Sequence, residues 1–290
     1  MAVAHVNGVD LYYELHGAGE PLVLVHGSWG DTTGWDLALP GLADTFQVLA
    51  YDRRGHTRSE RLETQGSVDE DGDDLAGLLE TLALAPAHVV TSSWGGNIAL
   101  RLACRRPELF RSLTCHEPPL WSLLADDPDS RAILSQSDQS LESVGSRIAA
   151  GDDEGAARQF VDEVAFGRGA WDQLPPEAKE VMVRNAPTFL DELNDPYQLM
   201  IDADALPDLE MPVRLTQGSE SPPVFIHVID RLENLIPHVT RETIQGAGHA
   251  PQLTTPEAYV EATKSAVRTA AGGSLPPAPS PGWSPNLGSG

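Results

Sequence analysis

The sequence predicts an α/β protein, a mostly parallel sheet with helices on both faces and an inserted helical lid. Three observations predict it. Short apolar runs at residues 22–25, 46–51, 87–90 and 113–116 read as strands buried in the middle of a sheet. Segments with helical spacing, 71–84 and 97–103, fall between them, and strand–helix alternation is the signature of parallel pairing. From Pro118 to about Leu209 the strand signals stop and only helix-like stretches remain.

Taken in order, residues 9–15 alternate in the manner of an exposed edge strand, and 16–20 form a Gly-rich turn. The run 22–25 ends in His26-Gly27-Ser28-Trp29-Gly30, and 46–51 ends in Asp52-Arg53-Arg54-Gly55-His56. The insertion carries helix-like stretches at 131–150, 156–166 and 176–185, punctuated by Pro and Gly. Strand-like runs resume at 212–216 and 239–244, and 256–270 closes the core as an amphipathic helix. The expected organisation is a core of 1–117 and 210–271, a lid of 118–209, and a disordered tail of 272–290 rich in Pro, Gly and Ser.

Composition narrows the function classes. The chain has 290 residues and is 41% apolar, enough for a sizeable core. It carries 19 Lys+Arg against 43 Asp+Glu, a formal net charge of −24 that repels nucleic acid and anionic membrane surfaces. The acidic stretches 69–74 and 152–154 read as solvated faces. No apolar run reaches transmembrane length, and residues 1–7 lack the basic start and apolar stretch of a secretory signal. Cys104 and Cys115 read as two buried free thiols in a reducing compartment, and a cytoplasmic location is expected. No Cys/His spacing resembles a zinc site. The partner expected is a small molecule.

The chemistry-bearing residues lie where strands end. Thr91-Ser92-Ser93-Trp94-Gly95-Gly96 joins a strand to a helix, and a serine pinched there with glycine two and three residues on has the geometry of a nucleophile elbow. Ser93 is the candidate nucleophile. The usual motif has glycine where this chain has Thr91, and a bare S-x-G-G also fits an ordinary helix start with the serine as cap. A serine hydroxyl needs a base, and His249, in Gly246-Ala247-Gly248-His249-Ala250-Pro251, is the candidate. The backbone N–H groups of Ser28 and Trp94 are the candidate oxyanion donors. A carboxylate must orient the imidazole, and two compete: Glu117 at the end of one strand and Glu220 after a later one.

With these motifs in place, the chain resembles the α/β-hydrolase superfamily over roughly residues 2–271. In that family the acid after the later strand usually sits three residues past a glycine. Here that slot is Ser221, one position beyond Glu220. Members such as the haloalkane dehalogenases instead carry a glutamate after the earlier strand, which Glu117 matches, and Glu117 is preferred. The Asp52-Arg53-Arg54-Gly55-His56 segment resembles the family's D-x-R-G-x, whose role is structural.

Serine at position 93 and at position 28 argues against dehalogenase chemistry. A single lid tyrosine, Tyr197, argues against epoxide hydrolysis. The resemblance then implies hydrolysis of a small carboxylic ester or lactone through an acyl-enzyme, with no metal or organic cofactor. Lid residues Leu120, Trp121, Phe160, Phe166, Trp171, Met182, Phe189 and Met200 are candidates to line an apolar pocket, though most are expected to pack lid helices together. A non-hydrolytic enzyme on the same residues, or a small-molecule receptor, are the alternatives.

Overall fold

The computed structural model describes residues 2–270 and 272, so the expected tail beyond 272 lies outside the described residues. Among the described residues, eight strands form one sheet: β1 (Ala2–Val6), β2 (Val9–His16), β3 (Glu20–Val25), β4 (Phe46–Tyr51), β5 (Ala87–Ser92), β6 (Phe110–His116), β7 (Val213–Gly218) and β8 (Thr240–Ile244). Their order is β1-β2-β4-β3-β5-β6-β7-β8. Pairing is antiparallel from β1 to β4 and parallel from β4 onward.

The helices are α1 (Leu39–Ala43), α2 (Val68–Thr81), α3 (Trp94–Arg105), α4 (Arg131–Ala149), α5 (Asp153–Phe160), α6 (Ala170–Gln173), α7 (Pro176–Asn194), α8 (Pro223–Leu235), α9 (Pro251–Thr254) and α10 (Pro256–Ala270). Strand alternation divides the core in two. Val23 and Val25 join one cluster with α2, α3 and α8, whereas Leu22 and Leu24 join a second with α10. The helices α4 to α7 fall between β6 and β7, and part of their apolar surface merges into the first cluster. Among the described residues no helix is long and apolar enough to cross a membrane.

Several expectations need correction. The edge strand is β1, and residues 9–15 lie one place inside it. Asn7 and Gly8, at φ 46° and 79°, make the tight hairpin turn that returns the chain, an Asn-Gly signal legible in the sequence. The acidic stretch 69–74 is not a solvated face throughout. Asp71 and Asp74 are buried, and Asp74 accepts bonds from Arg54 (2.6 Å) and Asn7 (2.9 Å). Of the two free cysteines, Cys115 is buried and Cys104 only half-buried.

Two helices exceed or escape the sequence pattern. Helix α8 was hidden by Pro222-Pro223, although proline suits the first helical turn and Val224, Phe225, Val228, Ile229 and Leu232 form its buried face. Helix α7 continues past Asn185 and through Pro187. An interior proline costs about 3 kcal/mol. Asn185, Thr188 and Glu192, at i, i+3 and i+7, hold the helix down by bonding to the loops after β3 and β4.

Candidate active site

Four strand ends build the site. Ser93 follows β5 with φ 51° and ψ −121°, a strained conformation for a residue with a side chain. It stands at the N-cap of α3, yet its side chain makes no capping bond, so the helix-cap alternative fails. Thr91 proves compatible with the elbow because it lies within β5, opposite Val25 and Cys115, while the positive φ falls two residues later. Glycine is needed on the other side of the turn. A methyl on Gly95 would collide with the Val25 carbonyl oxygen, and one on Gly96 would come within 2.9 Å of Pro118 Cβ. One on Gly27 would come within 2.9 Å of Ser93 Cβ.

The next strand, β6, delivers Glu117. The ladder carries this placement: the Ser93 N–H donates to the His116 carbonyl (2.8 Å) and the Glu117 N–H to the Thr216 carbonyl (3.2 Å). Glu117 also has positive φ, 46°, and is fully buried. Its Oε1 accepts the Gly218 N–H (2.7 Å) and its Oε2 lies 2.6 Å from His249 Nδ1. Burial opposes ionisation of this carboxyl. The imidazoles of His116 and His249 and the hydrogen bond from His249 more than offset that, and its pKa is lowered to about 2.

Of the two candidate acids, then, Glu117 is brought to His249. Glu220 is exposed, and its backbone N–H donates to the Ala247 carbonyl (2.9 Å). The His249 ring is held from both sides, stacked on Phe225 at 4.0 Å and met edge-on by Phe166 at 5.9 Å. Nδ1 faces the carboxylate, which leaves Nε2 as the nitrogen free to exchange a proton.

Ser93, Ser28, Trp94 and His249 line one apolar chamber. Of the lid residues named from the sequence, Trp121, Phe160 and Phe189 line it. Phe166 touches the histidine, Leu120 and Trp171 are buried in the packing, Met182 is half-buried against it, and Met200 is 47% exposed.

His116, Glu117 and His249 are close enough to share a metal ion. Each Glu117 oxygen already accepts one hydrogen bond and keeps a further lone pair. Burial pushes the pKa of His116 down to about 4, keeping it neutral.

Behind Ser28 lies a second polar cluster that sequence reasoning missed. Ser28 Oγ donates to Glu192 Oε2 (2.5 Å), and Arg53 Nη2 donates to Glu192 Oε1 (2.5 Å). Arg53 is itself buried, 3.9 Å from Asp71. Burial lifts both carboxyls, Asp71 to about 6 and Glu192 to about 7, because one guanidinium serves two acids. His26 ties the loops together, accepting the Arg53 N–H on Nε2 (3.0 Å) and donating from Nδ1 to the Gly27 carbonyl (2.8 Å). Arg53 thus has the structural role expected of its segment. Glu192 carried no motif, although a glutamate between Phe189 and Leu193 on a half-apolar helix is an anomaly the sequence displays.

The alpha/beta hydrolase fold family matches residues 20–256. A protein named carbamate hydrolase RutD from Azorhizobium caulinodans is 40% identical over 114 residues. That alignment covers 39% of this chain and 43% of the relative, so the chain spans less than half the length of that protein. The protein of the same name from Caulobacter sp. (strain K31) is 29% identical over 261 residues, covering 86% of this chain and 92% of its own. Among solved structures, the enol-lactonase from Burkholderia xenovorans LB400 superposes with a TM-score of 0.75 at 17% identity, covering 92% of this chain and 99% of that one.

Proposed function

The chain belongs to the alpha/beta hydrolase fold family, and from that premise we propose that it is a serine hydrolase acting on a small carboxylic ester or lactone. In this reading Ser93 attacks the carbonyl carbon while His249 Nε2 takes the hydroxyl proton. The backbone N–H groups of Ser28 and Trp94 hold the oxyanion, and His249 protonates the leaving oxygen. Water, deprotonated by the same imidazole, then releases the acid from the acyl-enzyme. Glu117 keeps the imidazole in the right tautomer and stabilises its protonated form.

One observation carries the reading. Ser93 and His249 open onto the same apolar chamber, while the buried Glu117 carboxylate grips the histidine from behind. The apolar walls favour an uncharged substrate, and the acidic surface disfavours anions.

A fluorophosphonate should label Ser93, and p-nitrophenyl acetate and butyrate, a small lactone and a carbamate should be assayed beside it. The carbamate is included because relatives carry that name and its carbonyl undergoes the same attack. Turnover of an ester or lactone, lost in Ser93→Ala with the fold intact by circular dichroism, is expected. Wild-type turnover in Ser93→Ala would falsify the assignment.

A further inference from the structure

Glu192 is nearly fully buried, sits on the inserted helix α7, and belongs to none of the three roles above. Each of its oxygens accepts a bond from the core: Oε2 from Ser28 on the loop after β3, and Oε1 from Arg53 on the loop after β4. Two neighbours on the same helix face act on the same loops. Asn185 donates to the Gly30 carbonyl (2.9 Å) and accepts the Thr57 N–H (2.9 Å), and the Thr188 hydroxyl lies 3.0 Å from His56 Nε2. Only Glu192 reaches a residue lining the reaction chamber.

We propose that Glu192 is a positioning residue for the oxyanion side of the site: its bond to the Ser28 hydroxyl makes the seating of α7 and the placement of the Ser28 amide one event. The proposal rests on the serine-hydrolase reading, since it takes the Ser28 N–H as a donor to the reacting oxygen.

Physically, the 26–30 segment needs something to hold it. It contains Gly27 and Gly30, and Trp29 lies at φ 66°. Two flexible glycines beside a strained tryptophan do not by themselves fix an amide to within the fraction of an ångström that oxyanion binding demands. Glu192 fixes it from outside. Because the Ser28 hydroxyl proton goes to the carboxylate, the hydroxyl oxygen has only lone pairs left for other neighbours. The hydroxyl is thereby committed to holding the loop, and the backbone N–H of the same residue is left to meet the substrate. Arg53 in turn holds Glu192, so the carboxylate is not free to follow a moving loop.

The test uses Glu192→Gln, Ser28→Ala and the double variant, assayed on p-nitrophenyl butyrate, with hydrogen–deuterium exchange on the peptide covering residues 26–30. Each single variant should lower kcat by about 10- to 100-fold with KM within about threefold, the pattern of a lost transition-state interaction. The double variant should be no slower than the slower single one, because both substitutions break the same bond. Exchange at 26–30 should accelerate in both.

Wild-type kcat in either folded single variant overturns the proposal. So do multiplying effects in the double variant, and so does unchanged exchange at 26–30. Should Glu192→Gln fail to fold with Arg53 left unpaired, Ser28→Ala decides, since it keeps the Arg53–Glu192 pair. A wild-type protein that neither takes the fluorophosphonate nor turns over any ester defeats the serine-hydrolase reading. The exchange measurement then still decides whether Glu192 holds the loop.

Discussion

Glu117 and Glu192 are both buried glutamates in contact with residues of one chamber, yet burial has opposite outcomes for them. At the end of β6, Glu117 is buried but faces the imidazoles of His116 and His249, the latter bonded to it, and its pKa falls to about 2. On α7, Glu192 is met by a hydroxyl and by a guanidinium that also faces Asp71, and its pKa rises to about 7. What separates them is what else faces each carboxyl. Two imidazoles directed at Glu117 outweigh its desolvation, whereas a guanidinium shared with Asp71, itself a second acid, does not do so for Glu192.

The comparison is most easily broken at its first member. Glu117→Gln should lower kcat by about 10³- to 10⁴-fold, because an amide cannot stabilise the imidazolium and favours the wrong tautomer. Glu220→Gln should stay within about twofold of wild type. Similar losses in both, measured as kcat/KM on the same ester, would remove Glu117 from its proposed role.

Stability against pH sharpens the contrast. The folded pKa of Glu192, about 7, lies above its ordinary 4.5, so the folded chain keeps a proton that the unfolded chain releases between those values. Wild-type stability relative to Glu192→Gln should therefore fall as pH rises from 4.5 to 7 and level off above. Glu117, held at about 2, gives the reverse. Its contribution is full above pH 4.5 and fades as pH falls toward 2. Melting temperatures of wild type and both variants should diverge by about 2–8 °C across these windows, and parallel curves would contradict the assigned shifts.

A smaller loss than at Glu117 is expected at the ring that backs the histidine. Phe225→Ala removes a stacked partner without touching a hydrogen bond, and should lower kcat by about three- to tenfold. An unchanged kcat would mean that the Glu117 bond alone fixes the imidazole.

How much of this was legible differs between the same two regions. Ser93, His249 and Glu117 stand at strand ends, where an apolar run stops at glycines or, for Glu117, at Pro118-Pro119, and that punctuation is a one-dimensional signal. The parallel sheet was legible for the same reason. Strand β1 and helix α8 were missed although each carried a signal, the Asn7-Gly8 turn and the Pro222-Pro223 start. The α7 seam is different in kind. Asn185, Thr188 and Glu192 acquire their meaning from the loops after β3 and β4, more than a hundred residues earlier, and Pro187 suggested that the helix had already ended. Asp71 was misjudged for a related reason, since its neighbour Arg53 lies on another element.

The backbone bond from Ser93 to His116 has a consequence for how such a protein diversifies. It ties Ser93 to the strand that bears Glu117 through main-chain atoms, which no side-chain substitution can remove. Pocket walls donated by the helices between β6 and β7 can drift, lengthen or be exchanged for those of a cousin while the distance between Ser93 and Glu117 stays set by strand spacing. Grafting foreign segments between β6 and β7 should thus retune selectivity freely, on one condition: the graft must supply its own anchor where Glu192 now stands.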